Sequence, residues 1–133
     1  MKKHFIIPLV VLINIFLVFN AFAGLPGLNL SATTTQTGGR SSSHSGHAYW
    51  QTGIGLAEHA VIDLTVIPYY YISSWQASGS ASDSDMDNVS VSTSRNWVDG
   101  VTMAKTKAEA TATEFIPQDP VHYKEKWSSE VTF

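Results

Sequence analysis

Residues 89–115, VSVSTSRNWVDGVTMAKTKAEATATEF, decide how the chain is read. At their centre is Asp99-Gly100, a pair suited to a two-residue type I′ turn, whose central positions both need positive φ. Folding the segment about that turn pairs Val98 with Val101, Trp97 with Thr102, Thr93 with Thr106, Val91 with Ala108 and Val89 with Ala110. One face then carries Val89, Val91, Thr93 and Trp97 opposite Thr102, Ala104, Thr106, Ala108 and Ala110. The other carries Ser90, Ser92, Ser94 and Asn96 opposite Met103, Lys105, Lys107 and Glu109. A register that separates a small apolar face from a charged one is what holds a half-buried hairpin in place. A helix through 104–110 is the alternative, because Ala, Lys and Glu are good helix formers. Thr102, Thr106, Thr111 and Thr113 argue against it, and the period-2 pattern predicts one long β-hairpin.

Working outward, residues 59–67 alternate Ala60, Ile62, Leu64 and Val66 with Val61, Asp63, Thr65 and Ile67. Both faces are largely apolar, which predicts a central buried strand ended or bent by Pro68. Tyr69 to Trp75 reads as a further strand rich in β-forming aromatics. A polar tract from Gln76 to Asn88 follows, and Pro117 and Pro120 punctuate a loop after the hairpin. Val121 to Trp127 and Glu130 to Phe133 are short terminal strands. The fold class expected is all-β, a small antiparallel β-sandwich or partly closed barrel of about six or seven strands.

The first 23 residues carry the marks of a signal peptide. Lys2, Lys3 and His4 make a basic start, Phe5 to Phe19 is an apolar run broken by Pro8 and Asn14, and Ala21-Phe22-Ala23 is an A-x-A cleavage site. Cleavage after Ala23 leaves six basic residues against eleven acidic ones, and the formal charge falls from −3 to −5. Such a balance speaks against nucleic acid, which needs a basic stripe. Cysteine is absent, so disulfides, thiol catalysis and Cys-zinc sites are excluded. Residues 24–47 are dominated by Gly, Ser and Thr and read as a flexible lead-in, although Leu28, Leu30, Ala32 and Thr34 alternate. One β domain is expected over 48–133, opened by Tyr49-Trp50-Gln51, and the protein is expected to be secreted or periplasmic.

Candidate chemistry is sparse. Asp83, Asp85 and Asp87 recur at every second position like the start of a calcium loop. The glycine and closing glutamate positions of that pattern are Asn88 and Ser94, so a solvated acidic loop is expected instead. His44 and His47 form H-x-x-H in the lead-in, without the rigid surroundings a metal site needs. No catalytic, cofactor or metal residue is nominated. The aromatic inventory is richer, and adjacent Tyr69, Tyr70 and Tyr71 cannot all face one side of a strand. Trp50, Tyr69, Tyr70, Tyr71 and Trp75 are therefore the candidate binding aromatics, suited to a sugar, a lipid headgroup or a protein.

The order of landmarks resembles the lactococcin 972 family of bacteriocins. The resemblance lies in Trp50-Gln51-Thr52-Gly53-Ile54-Gly55, the tyrosines at 69–71, the segment Gly100-Val101-Thr102-Met103-Ala104-Lys105-Thr106 and the aromatic stretch Tyr123 to Trp127. The family's segment after the tyrosines is matched only by Ser74-Trp75-Gln76-Ala77-Ser78, and the Ser/Thr lead-in departs from its pattern. The resemblance implies a small cysteine-free exported β-sandwich, not an enzyme, that acts on a component of a target cell's envelope. The alternative is a surface fibre or adhesion subunit. It would self-associate through the N-terminal arm by strand addition, with Leu28 to Ala32 as the donated strand.

Overall fold

The structure is a computed structural model that describes residues 24–115 and 120–133. The expected signal peptide with its cleavage site, and Pro117, lie outside the described residues. The described chain holds nine strands: β1 (Gly27–Gly38), β2 (Ser41–Gln51), β3 (Ala60–Tyr71), β4 (Trp75–Ala77), β5 (Ala81–Met86), β6 (Asn88–Asn96), β7 (Met103–Glu114), β8 (Val121–Trp127) and β9 (Val131–Thr132). All pair antiparallel, in a three-stranded sheet ordered β1-β2-β6 and a six-stranded sheet ordered β4-β3-β7-β8. In the larger sheet β5 also pairs with β3, and β9 with β7. The two sheets pack face to face without closing into a barrel.

Alternation sets which side chains meet between the sheets. From the larger sheet come Ala60, Ile62, Leu64 and Val66 of β3 with Ala108, Ala110 and Ala112 of β7; from the smaller come Leu28, Ala48, Trp50, Val89 and Val91. The alanines and Gly46 let the sheets approach closely. A Cβ on Gly46 would lie 2.8 Å from Val66 Cγ2 and 3.3 Å from the Ala108 Cβ. The expectation of a central buried strand from 59 to 67 holds, since β3 lies between β7 and the β4/β5 edge.

The expected hairpin does not form. β6 pairs with β2 and β7 with β3, so Val91 sits beside Gly46 and Ala108 beside Val66, on opposite sheets. The reason is the turn. Val101 N–H bonds the Val98 carbonyl, and Gly100 has φ +98°. Asp99 is not in the positive-φ region, which Asp87 alone among described non-glycine residues occupies. A turn with positive φ only at its third residue has the type II signature, and type II turns splay flanking strands where type I′ would close them. The chain therefore crosses between sheets at 97–102. The facing survives this change: Val89, Val91, Ala104, Thr106, Ala108 and Ala110 are all buried.

The lead-in is also structured. β1 and β2 occupy it as a hairpin in register from Gly27–Gln51 to Gly38–Ser41, so the segment read as flexible supplies two of the three strands of one sheet. The arm that was to be donated to a neighbour is already paired within its own chain. Pro68 neither ends nor breaks β3, which runs on through Tyr71. Its carbonyl accepts Ser78 N–H at 2.8 Å, on the side where β3 changes partner from β5 to β4. In a strand a residue's N–H and C=O point to the same neighbour, so the missing proline donor faces that gap. Tyr69 to Tyr71 thus end β3, and β4 starts at Trp75. Much of the polar tract becomes β5, and Asp87, at φ 63°, turns the chain from β5 in one sheet to β6 in the other.

Candidate binding surface

The outer face of the six-stranded sheet gathers aromatic and basic side chains from four strands. Odd-numbered residues of β3 and β7 point outward, and register places Tyr71 beside both Trp75 and Met103, Tyr69 beside Lys105, and Ile67 beside Lys107. β8 then sets Trp127 beside Lys107. The Lys105 ammonium lies 4.0 Å from the Trp75 ring centroid and 4.6 Å from that of Trp127. Tyr71 meets Trp75 edge-on, with centroids 5.4 Å apart, and Tyr69 meets Trp127 likewise at 4.9 Å. Trp127 remains 41% exposed. A cation over two indole faces is held by their quadrupoles and gains most where water is partly excluded.

Charge along this face is divided. The Lys107 ammonium bonds Glu109 at 2.8 Å and lies 3.5 Å from Glu125, and the Glu109 hydrogen bond keeps it charged well above the ordinary lysine range. Lys105 has no carboxylate partner among the described residues. The patch therefore presents one cation ringed by aromatics and without a carboxylate partner, next to a Lys107–Glu109–Glu125 cluster that carries one net negative charge.

Of the sequence-nominated aromatics, Tyr69, Tyr71 and Trp75 come together here. Trp50 and Tyr70 do not. Trp50 is only 7% exposed, donates Nε1–H to the Ala57 carbonyl at 3.0 Å and packs on His122. Tyr70 shares the inward parity of Ile62 to Pro68 and lies against Trp97. Lys105 and Trp127 were absent from the nominated set; each belongs to the patch only through the pairing of distant strands.

The reactive side chains elsewhere are engaged in holding the fold. Ser42 and His44 form a Ser–His pair at 2.8 Å, but both are fully buried. Trp97 Nε1–H donates to Ser42 Oγ, which leaves the Ser42 proton for His44 Nε2 and puts the imidazole proton on Nδ1. Nδ1 bonds Thr106 Oγ1 at 2.9 Å, Thr106 bonds Thr34 at 2.6 Å, and Thr34 bonds Ser128 at 2.7 Å. Ser128 donates to the Ser129 carbonyl at 2.8 Å. Thr106 Oγ1 also donates to the Thr33 carbonyl at 3.1 Å, and among the described residues no buried side-chain nitrogen or oxygen lacks a partner. Burial, followed by the charge of Arg95, pushes the His44 pKa down to about 4.

At the far end of the sandwich, carboxylates anchor backbone. Glu114 accepts Ala57 N–H at 2.6 Å and lies 3.2 Å from His122 Nε2; the Ala57 bond foremost, then the histidine, holds its carboxyl below the usual range. Asp87 bonds Ala60 N–H at 2.9 Å and His59 Nδ1, and that bond raises the His59 pKa. Asp83 and Asp85 accept the N–H of the residue that follows each. The three aspartates thus do not converge on one point. His44 and His47, three apart in a strand, point to opposite faces; His47 stacks on Tyr49 and bonds Asn88. The outer face of the small sheet is a lawn of hydroxyls, with Ser31, Thr33, Ser45, Ser90 and Ser92 lining a shallow trough of about 240 Å³.

The chain matches no protein-family model and no curated protein. The site must be interpreted from its own geometry.

Proposed function

We propose that this is a small exported bacterial protein, not an enzyme, that acts by binding a component of the cell envelope through the aromatic–lysine face. The observation that carries the reading is Lys105 held between Trp75 and Trp127 on a solvent-facing sheet, with Tyr69 and Tyr71 beside it. Aromatic rings present large contact area at small conformational cost, and Lys105 is already held between two of them, which suits recognition more than bond-making. The non-enzymatic reading is supported by where reactive groups are spent: the Ser42–His44 pair is sealed in the core and the carboxylates of Glu114 and Asp87 cap backbone N–H groups. In its most specific form the protein is a bacteriocin like those of the lactococcin 972 family, for which the order of aromatic landmarks is the support.

The test uses the processed protein from an exporting host, sedimented with isolated bacterial envelopes and applied to a panel of indicator strains. The parent is expected in the envelope pellet, with Trp75→Ser and Trp127→Ser left in the supernatant. Equal pelleting of parent and variants would overturn the binding face, and an uninhibited panel would remove the bacteriocin form.

A further inference from the structure

We propose that the envelope component engaged by this face is the interfacial zone of a phospholipid bilayer, entered by Ile72 and Val98. This deepens the reading above and rests on it. β3 ends at Tyr71, and the turn that follows carries Ile72 at 45% exposure; the crossover at 97–102 carries Val98 at 68%. Thr102 N–H bonds the Tyr71 carbonyl at 3.0 Å, which ties the two turns to the same end of the sandwich. An Arg40–Asp99 ion pair and the bond from Trp97 N–H to the Arg40 carbonyl hold the crossover from the other sheet. Two exposed apolar side chains therefore lie on turns tied to the same end of the sandwich.

Behind Ile72 and Val98 the side chains follow the order of a membrane interface. Tyr71 and Trp75 come first, then Tyr69 and Lys105 in the next outward-facing row, then Lys107 with Trp127. Amphipathic rings favour headgroup level, and lysine reaches from apolar surroundings to phosphate. At ~3.3 Å per strand residue, the three residues from Ile72 to the Tyr69–Lys105 row span roughly 10 Å. That matches the ~5–10 Å to which interfacial elements bury their apolar face. Lys105, without a carboxylate partner among the described residues, then meets lipid phosphate.

The same geometry disfavours a wall glycan. Pyranose rings stack on open indole faces, whereas Trp75 and Trp127 turn faces toward the Lys105 ammonium and receive tyrosine contacts at centroid distances of 5.4 and 4.9 Å. Because this face offers, among the described residues, one cation without a carboxylate partner, apolar and aromatic contacts carry the attachment, and salt changes it little.

The experiment sediments the processed protein with vesicles of phosphatidylcholine and phosphatidylglycerol and, separately, with insoluble cell-wall polysaccharide. Tryptophan emission is recorded with and without brominated lipid. Expected are vesicle binding, a blue shift, bromine quenching, and at least about tenfold weaker partitioning for Ile72→Ser/Val98→Ser, since ~1.4 kcal/mol is a factor of ten. An unchanged melting temperature for that double variant confirms that it folds. Wall polysaccharide binding without vesicle binding overturns this inference and leaves the binding face standing; binding to neither overturns both. Vesicle binding unaffected by the double variant also overturns the proposed mode of entry.

Discussion

Acid should unfold this protein through one buried ring. His44 is fully buried with both nitrogens engaged, and its pKa is pushed down to about 4 from an ordinary value near 6.5. Protonation puts a second N–H on Nε2, facing Ser42 Oγ, which already accepts from Trp97. The folded state therefore resists the proton while the unfolded state takes it up from about pH 6.5 downward. Between those two values the unfolded chain binds more protons, so stability falls with pH. Linkage gives a loss of about 2 kcal/mol by pH 5 and about 3 kcal/mol by pH 4, on the order of a third of a small domain's stability. His59 acts above this window, and Glu114 only at its lower edge and below. The raised pKa of His59 means its contribution is complete below about 6.5 and is lost as pH rises, and the lowered carboxyl of Glu114 loses its contribution only under stronger acid. The assay is urea denaturation at several pH values from 7.5 to 4.5 for the parent and His44→Gln. The variant should be less stable at neutral pH by about 1–3 kcal/mol through its imperfect hydrogen bonds, and the gap should narrow steadily below pH 6.5. Parallel loss in both proteins across that range would refute the role given to His44.

Substitutions at Gly46, Gly100 and Asp87, with Gly39 as a control, test the packing that places the binding face. Gly46→Ala puts a Cβ 2.8 Å from Val66 Cγ2 and should cost about 1–3 kcal/mol in chemical denaturation; an unchanged midpoint would mean the sheets are farther apart. Gly100→Val forces a β-branched residue to φ +98° and should lose about 1–3 kcal/mol, whereas Gly39→Ala, in open space, should stay within about 0.5 kcal/mol. At the corner between sheets, Asp87→Gly keeps the left-handed backbone and loses only the carboxylate's bonds to Ala60 N–H and His59, while Asp87→Val loses those bonds and strains the backbone as well. The valine variant should therefore melt lower than the glycine one, and the reverse order would contradict a corner at φ 63°.

The chain states its strands more clearly than their partners. Alternation in 89–115 sorts the buried Val89, Val91, Ala104, Thr106, Ala108 and Ala110 correctly, because period 2 encodes facing. It does not encode which neighbour a strand bonds, and that choice turned on the φ of Asp99, which Asp-Gly alone leaves open. Residues 24–47 misled by composition: their Gly, Ser and Thr read as a flexible lead-in, yet Thr34, Ser42 and His44 are buried and linked through Thr106 in one hydrogen-bonded chain. The nominated aromatics divide for a similar reason. Tyr69 and Tyr71 share outward parity, and Tyr70 follows the inward parity of Ile62 and Leu64, a signal already present once β3 is extended through Pro68. Lys105 and Trp127 were beyond local reading, since β7 and β8 bring them to Trp75 from elsewhere in the chain.

A surface scan tests the central claim, that one outer face of the sandwich carries the function. Envelope binding would be measured for the parent, for Trp75→Ser/Trp127→Ser and Lys105→Gln on the six-stranded sheet, and for Ser45→Arg and Ser92→Arg on the hydroxyl face of the other, with folding checked by denaturation. The account predicts binding lost in the tryptophan double variant, weakened in Lys105→Gln and kept in both serine variants. Binding lost in Ser45→Arg or Ser92→Arg while the tryptophan variant binds like the parent would contradict it.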